Sequence, residues 1–428
     1  MLTLLLLVAC SPPTPPSTGG DPAEDSGDVA GADSGDSGDT SDTGDTAGVE
    51  RWNVLVYMDG DNNLESYVTH DLNELEAAHA GDAVTVFVQA DRIEGNDASD
   101  GDWTGTRRYR IEADADEEAV SSPVVEDLGE VDMGDPATLA AFIAWVDDSW
   151  PADHTVLSLW DHGDGWTMTG APPPSIASDD TSGSGISIAE GELHAALQPH
   201  VDTFGTFDLL AFDACYMGSW EVADSLRGQV DTLVASEAWV GGEGIMYTPM
   251  LERLRDDPAM DSATLGITMA EDAVFEGREL TFGAVDITAL GDVTAAVDTL
   301  GQWGLASAAA TRMVLDGREA SRGADADWGD YYHDLRDLAA VMAVSDTSPS
   351  ELAALSAATA SALDGAVLAA HGNETYAWTG GLSIYFSVYG RDAVTNYHEA
   401  PGATWSQATA WDDYLLAAWE LEHAQAVR

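Results

Sequence analysis

The sequence predicts an α/β fold: a mostly parallel sheet with helices on both faces, followed by a helix-rich C-terminal section. Three observations predict it. Apolar runs rich in β-branched and aromatic residues recur at 52–58, 84–89, 155–160 and 207–212, and each reads as a strand buried on both faces. Segments with apolar residues at helical spacing lie between them, and such alternation implies parallel strands joined by crossovers. Two of the runs end in residues that packing explains poorly, at the carboxyl end where open α/β sheets carry their sites.

The elements follow in order. Trp52-Asn53-Val54-Leu55-Val56-Tyr57-Met58 is the first strand, and Asp59-Gly60-Asp61-Asn62-Asn63 is a turn cluster, open to a cation-site reading but read first as a solvated turn. Leu64, Tyr67, Val68, Leu72 and Leu75 repeat at helical spacing. The run at 106–111 alternates and reads as an edge strand. Helices over 139–145 and 188–197 precede the strands at 155–160 and 207–212, a helix follows at 219–226, and 232–236 is a short strand. Between the two site strands, residues 170–185 form a polar Gly/Ser/Pro loop, expected to be exposed. Beyond 250 the pattern is helical near 261–275, 288–318, 330–343 and 351–370. A last strand at 380–386 returns to the sheet or forms a small second one, and an amphipathic helix closes the chain at 411–423.

The expected domains are therefore 1–10, 11–50, 51–250 and 251–428. The first is a leader: it is Leu-rich, too short to span a bilayer, and ends in Leu7-Val8-Ala9-Cys10. That is the form of a bacterial lipoprotein cleavage box, with Cys10 taking the lipid, although the usual basic start is missing. Residues 11–50 are Pro, Gly, Ser, Thr, Ala and Asp without an aromatic side chain. They cannot bury enough surface to fold, lack the spacing of a rigid Ca²⁺ loop, and read as a flexible acidic tether. The α/β core is 51–250, and 251–428 is the helix-rich section with its strand near 380–387. The expected location is the cell envelope or surface, lipid-anchored or released.

The 428 residues carry a formal net charge of −62, and all 15 basic residues are arginine. Such a balance argues against nucleic acid or an anionic lipid surface as partner and suits cationic ligands, or solubility in a salty habitat. The expectation is a monomer.

Cys215 is the one cysteine of the chain besides Cys10. In an exported protein it has no partner for an internal disulfide, so it is either a small buried hydrophobe or a reactive thiol. It follows the run Phe207 to Phe212, in Phe212-Asp213-Ala214-Cys215-Tyr216-Met217. His162 follows the run Thr155 to Trp160, in Asp161-His162-Gly163-Asp164-Gly165-Trp166. Glycine there lets backbone approach a ligand. A strand-end histidine beside a strand-end cysteine is what a thiol nucleophile requires, because the imidazole takes the thiol proton and later protonates the leaving amine.

These residues together resemble the clostripain-like cysteine peptidases, in the clan that also holds caspases, legumain and gingipains. The resemblance runs from 52 to about 420 and includes the first strand and turn, the two strand-end motifs, Ser178-Asp179-Asp180-Thr181-Ser182, Glu221-Val222-Ala223, Ala235-Ser236-Glu237 with Gly242-Glu243-Gly244, and Gly381-Leu382-Ser383-Ile384-Tyr385-Phe386. It implies a caspase-like sheet, Cys215 as nucleophile, His162 as general acid/base, and an oxyanion hole from the N–H groups of Gly163 and Cys215. It further implies cleavage of proteins or peptides after Arg or Lys, with Asp213 and Glu243 lining the pocket. No cofactor is implied for the chemistry and no metal at the site, while Ca²⁺ remains open as a structural or activating ion.

Two departures stand out. Relatives often mature by a cut at a basic residue between the catalytic His and Cys, whereas 163–214 contains neither Arg nor Lys. The chain is therefore expected either to be active uncut or to be cut by something else in the 170–185 loop; separately, self-cleavage after Arg51 would release the domain from its tether. Asp161 also replaces a commoner asparagine, and is expected either to raise the histidine pKa or to face solvent. Competing readings are a non-catalytic surface binding or adhesion module on a peptidase-like scaffold, and a metal-dependent hydrolase using His162, Asp161 and Asp164. The scattered histidines weigh against the latter.

Overall fold

The computed structural model describes residues 49–426, apart from 117–118, 167–175, 276–277, 325–330, 345–348 and 388–389. The leader, Cys10 and all but the last two residues of the 11–50 tether lie outside the described residues.

Backbone alternation explains the layers. Along β1 (Trp52–Gly60) every residue is buried. Trp52, Val54, Val56 and Met58 enter one apolar cluster, while Leu55 and Tyr57 enter another. Side chains of a strand point alternately to its two faces, so a sheet covered on both sides needs apolar residues at consecutive positions. The remaining strands are β2 (Val84–Arg92), β3 (Thr106–Arg110), β4 (Val124–Gly129), β5 (His154–Trp160), β6 (Ile176–Asp179), β7 (Ser184–Ile186), β8 (Phe207–Asp213), β9 (Val230–Ala235), β10 (Thr281–Asp286), β11 (Tyr332–Asp334), β12 (Val367–Gly372) and β13 (Ser383–Tyr385). The main sheet has the order β12-β10-β9-β8-β5-β1-β2-β3-β4. Its centre, from β9 to β2, is parallel, and its flanks are antiparallel.

The helices are α1 (Glu65–Ala77), α2 (Pro136–Ser149), α3 (Glu192–Phe204), α4 (Trp220–Ser225), α5 (Tyr247–Asp256), α6 (Ser262–Ala273), α7 (Leu290–Leu305), α8 (Ala308–Ala320), α9 (Leu335–Val344), α10 (Ser350–Ala366), α11 (Arg391–Glu399), α12 (Thr404–Ala408) and α13 (Trp411–Ala426). Helices α1, α5 and α6 cover one face through Leu72, Leu251 and Leu265. The other helices build the opposite cluster, through residues such as Phe142, Leu197, Val297 and Trp411. Each large side chain so buried contributes about 2 kcal/mol relative to exposure.

Several local expectations change. β3 is internal, because β4 pairs beyond it. Half of the loop expected at 170–185 is an antiparallel hairpin, β6–β7, with Ile176, Ala177 and Ile186 in the core. Its turn is set by Gly183 at φ +68° and by Ser182 N donating to Asp179 Oδ1 at 2.6 Å. Residues 170–175 lie outside the described residues. The helix expected over 288–318 divides at Ser307, whose hydroxyl accepts from Ala310 N and caps α8. The helix expected to reach 370 stops at Ala366, and Val367–Gly372 instead pairs antiparallel with β10. The strand near 380–387 pairs with β11 in a separate two-stranded sheet. Residues beyond 250 therefore also supply β10 and β12 to the main sheet. The Arg51–Trp52 bond opens β1: Arg51 O accepts from Asp153 N and His154 N, and Trp52 is buried. Cutting there requires unravelling the strand, which removes the proposed release route.

Glu221 on α4 ties the C-terminal section down. Buried, it accepts at Oε1 from Tyr385 N and from Tyr397 OH, both at 2.9 Å, and burial pushes its pKa from 4.5 to about 7. A raised carboxyl pKa gives stability that is full below pH 4.5 and is lost as the pH climbs through 7. The loss amounts to about 3 kcal/mol. Glu221→Gln keeps the acceptor and cannot ionise, so urea denaturation from pH 4 to 8 is expected to show a smaller loss of stability with rising pH than the parent chain.

Candidate functional site

The register of β5 against β8 places Trp160 opposite Asp213. Asp161 N donates to Asp213 O at 3.3 Å, extending the pairing past the strand ends. His162 and Cys215 thus stand two residues beyond paired positions on adjacent strands. By the same alternation Trp160, His162, Asp213 and Cys215 share one side of the sheet, the side of α1 and α5, where Trp160 is buried and Cys215 packs. The backbones of Gly163 and Cys215 touch there. A Cβ on Gly163 would stand 2.5 Å from Cys215 O and 3.1 Å from Cys215 N, so only glycine fits.

His162 is half-buried. Its Nε2 lies 2.9 Å from Asn63 Oδ1, which can only accept, so a neutral imidazole carries its proton on Nε2 and its lone pair on Nδ1. Burial lowers the His162 pKa from 6.5 and Asp180 opposes the shift. The ring is therefore a free base near neutral pH. Cys215 is also half-buried. Its Sγ accepts from Val240 N at 3.3 Å and lies 3.7 Å from Val240 O, which fixes the thiol against the loop after β9. Tyr216 follows at φ +60°, a conformation uncommon for a bulky side chain, and turns the chain sharply toward α4.

Asp161 takes neither expected role. It is buried on the opposite side of the sheet, accepting from Asn62 Nδ2 at 2.7 Å and from Ser178 N, and so joins the first turn to the β6–β7 hairpin. Asp213 is buried beneath the 244–247 segment, with Ile245 N donating to Oδ1 at 2.9 Å and Tyr247 OH to Oδ2 at 3.2 Å. Burial raises its pKa to about 6. Gly244, at φ +52°, lies so close that a Cβ would overlap this carboxylate. Glu243 is exposed, its carboxylate 3.7 Å from Arg278 Nε, while Arg278 Nη2 donates to Glu243 O at 2.5 Å. Two carboxylates of α1 back the group: Asp71 accepts from Trp160 Nε1 at 2.7 Å and Glu74 from Thr248 N at 2.9 Å.

Sequence reading missed Asn63, Asp71, Glu74, Val240, Tyr247 and Arg278. Asn63 was visible as part of a turn cluster, but its distance from His162 is set by β1–β5 pairing. Among the described residues two groups are arranged to hold a metal ion, His398/Asp412/Asp413 and Asp61/Glu130/Asp179. Neither includes His162, Asp161 or Asp164, so the metal-hydrolase reading has no ligand set at this site.

Comparison with known proteins follows the same line. The family model described as the Clostripain family matches residues 56–419. Clostripain of Hathewaya histolytica is 28% identical over 256 residues, which is 56% of this chain and 47% of that relative. The match thus spans about half the length of the curated protein. In fold, the chain resembles a secreted cysteine protease of Bacteroides thetaiotaomicron in complex with an irreversible peptide inhibitor (TM-score 0.65, 20% identity, 85% of this chain and 99% of that one). It also resembles an inactive zymogen protease of Parabacteroides distasonis (TM-score 0.61, 19% identity, 84% and 98%).

Both partners of Asp161 are donors, so an amide there must turn its NH₂ against one of them. Asp161→Asn is expected to destabilise the protein by about 2 kcal/mol, read as a lower Tm in thermal melts at pH 9, above the value of about 8 to which burial raises the Asp161 carboxyl.

Proposed function

Because the chain belongs to the clostripain family, we propose that it is a cysteine endopeptidase that cuts proteins and peptides after basic residues, arginine preferred, using His162 and Cys215. The observation that carries this reading is the meeting of Gly163 and Cys215 at the ends of adjacent parallel strands, with His162 on the same side. In the first step the Cys215 proton passes to His162 Nδ1 as Sγ bonds to the scissile carbonyl carbon. The oxyanion is held by the N–H groups of Gly163 and Cys215, each such donor worth about 3 kcal/mol in the transition state. The imidazolium then gives its proton to the leaving nitrogen, the C–N bond breaks and a thioester remains. Water, deprotonated by His162, attacks the thioester and releases the acid and the thiol. Asn63 keeps the ring oriented by holding Nε2. None of these steps uses a cofactor.

Arginine preference is supported by the carboxylates near the thiol. Arg278 acts electrostatically on Asp71, Asp213 and Glu279 and lies against Glu243. A region that accommodates a guanidinium of its own chain has the charge and the acceptors to take one from a substrate. The enzyme acts as a single chain, since 163–214 offers no basic site for self-cleavage. The lipid anchor read at Cys10 keeps it at the cell envelope, facing extracellular protein substrates.

The test is hydrolysis of fluorogenic peptides ending in Arg, Lys or Ala by the protein and by Cys215→Ala. Cleavage after Arg is expected, lost in the variant, with the acid limb of kcat/KM below pH 6.5 because His162 is lowered. Failure to cleave any peptide would leave a non-catalytic binding module. Arg278→Gln frees the Glu243 carboxylate, so KM for the Arg peptide is expected to fall severalfold while kcat changes little; a rise in KM would show that Arg278 supports the pocket instead.

A further inference from the structure

Ala235-Ser236-Glu237 and Gly381-Leu382-Ser383-Ile384-Tyr385-Phe386 are separate motifs in the sequence, and the fold bonds one to the other. Glu237 lies on the segment leaving β9 and is buried. Its Oε1 accepts from Gly381 N at 2.6 Å and from the Thr379 hydroxyl. Asp334, at the end of β11 and also buried, accepts at Oδ2 from the preceding amide, Gly380 N, and at Oδ1 from Asp337 N at 2.6 Å. Carboxyl groups held by consecutive N–H groups lie side by side, and a side-chain hydrogen bond joins these two. Such a bond needs one proton between them. Both Asp334 oxygens already accept from backbone, so the donor is Glu237, through the Oε2 that takes no bond from Gly381 or Thr379. Burial and the Asp334 charge raise the Glu237 pKa well above 4.5, which agrees. The surroundings offer no compensating cation among the described residues. Asp337 of α9 adds a further negative charge, Arg322 before β11 and Arg336 of α9 turn to Asp337 and Asp364, His333 turns to Ser321, and Glu279 before β10 binds Gly241 N instead.

The backbone on either side of Glu237 is what fixes the thiol. Ser236 O accepts from Gly218 N at 2.7 Å and Ala238 O from Tyr216 N at 3.0 Å, and Val240 N donates to Cys215 Sγ at 3.3 Å. Residues 236, 238 and 240 thus line the chain from Cys215 to Gly218, while the Glu237 side chain between them reaches the C-terminal section. We propose that Glu237, as a neutral acid donating to Asp334, is a positioning residue that anchors the 236–240 segment and, through Val240 N, sets the Cys215 thiol. The inference rests on Cys215 being the nucleophile. An N–H aimed at sulfur favours the thiolate over the thiol, so a loosened segment makes the thiol harder to ionise. When the shared proton is lost, two buried anions face each other and the anchor parts. The sign follows from linkage: a raised carboxyl pKa gives stability that is full below 4.5 and is lost as the pH climbs through the raised value.

The test compares the full chain with Glu237→Gln and Glu237→Ala. The first readout is the pH dependence of Cys215 alkylation by iodoacetamide, followed by mass spectrometry at the Cys215 peptide. It uses no substrate, so failure of the catalytic reading leaves it intact. Gln keeps the acceptor for Gly381 and puts an N–H where the acid carries its proton, at every pH. Glu237→Gln is therefore expected to match the parent in alkylation rate, kcat and Tm at pH 6, and to hold its kcat and Tm better than the parent as the pH rises to 10. Glu237→Ala removes the anchor. Its alkylation midpoint should move to higher pH, and kcat for an Arg peptide should fall severalfold while KM changes little. The proposal is overturned if Glu237→Gln is as impaired at pH 6 as Glu237→Ala, which would make Glu237 an ionised acceptor. It is overturned equally if Glu237→Ala, folded by circular dichroism, keeps the parent alkylation profile, which would leave Glu237 a structural strut. Should Glu237→Ala not fold, Glu237→Gln decides alone: alkaline limbs of kcat and Tm identical to the parent's up to pH 10 overturn the proposal.

Discussion

The register of three parallel strands, β1, β5 and β8, is the constraint on which the rest depends. Val54, Val156 and Leu209 form one rung on the α1 face, and Leu55, Leu157 and Leu210 form the next on the other. A slip of one residue in any strand would exchange its faces. It would turn His162 away from Cys215 and break both cores at once. Burial on both faces therefore specifies the relative height of His162 and Cys215. Gly163 is the remaining requirement, since the two strand extensions can meet only where a side chain is missing.

The same alternation sorts the acidic residues. Odd and even positions at the strand ends send carboxylates to opposite sides. Asp213 joins Asp71 and Glu74 beside the thiol, and Asp59, Asp91 and Asp161 join Asp179 beneath the hairpin. A chain with a net charge of −62 could have spread its acids over solvent. Instead it buries several around one strand end, where desolvation and mutual repulsion make an arriving cation favourable.

The C-terminal section is a buttress for the histidine loop. Trp166, four residues after His162, packs edge-on against Tyr385, Tyr397 and Trp405, contacts worth about 1 kcal/mol each beyond burial. Its backbone N donates to Tyr332 OH at 3.2 Å. Glu221, six residues after Cys215, reaches Tyr385 and Tyr397. Strand ends carry His162 and Cys215, and the distant half of the chain holds the loops that leave them.

What the sequence by itself determined is what burial dictates locally. Continuous apolar runs mark strands covered on both faces, and a polar residue at the end of such a run is at the edge of the core; that was enough to single out His162 and Cys215, while the roles expected of Gly163 and Asp213 came from the family resemblance. The tertiary structure decided whatever depends on partners remote in sequence. Residues 367–372 carry no helix breaker before Gly372, and only the open edge of β10 draws them into a strand. The 176–186 segment looks like loop until a core receives Ile176 and Ile186. Asn63 becomes the partner of His162, and Asp161 the brace of Ser178, only when β1 and β5 lie side by side. Hydrophobic periodicity is written in each segment of chain, whereas hydrogen-bond and charge partners are written in the packing that brings segments together.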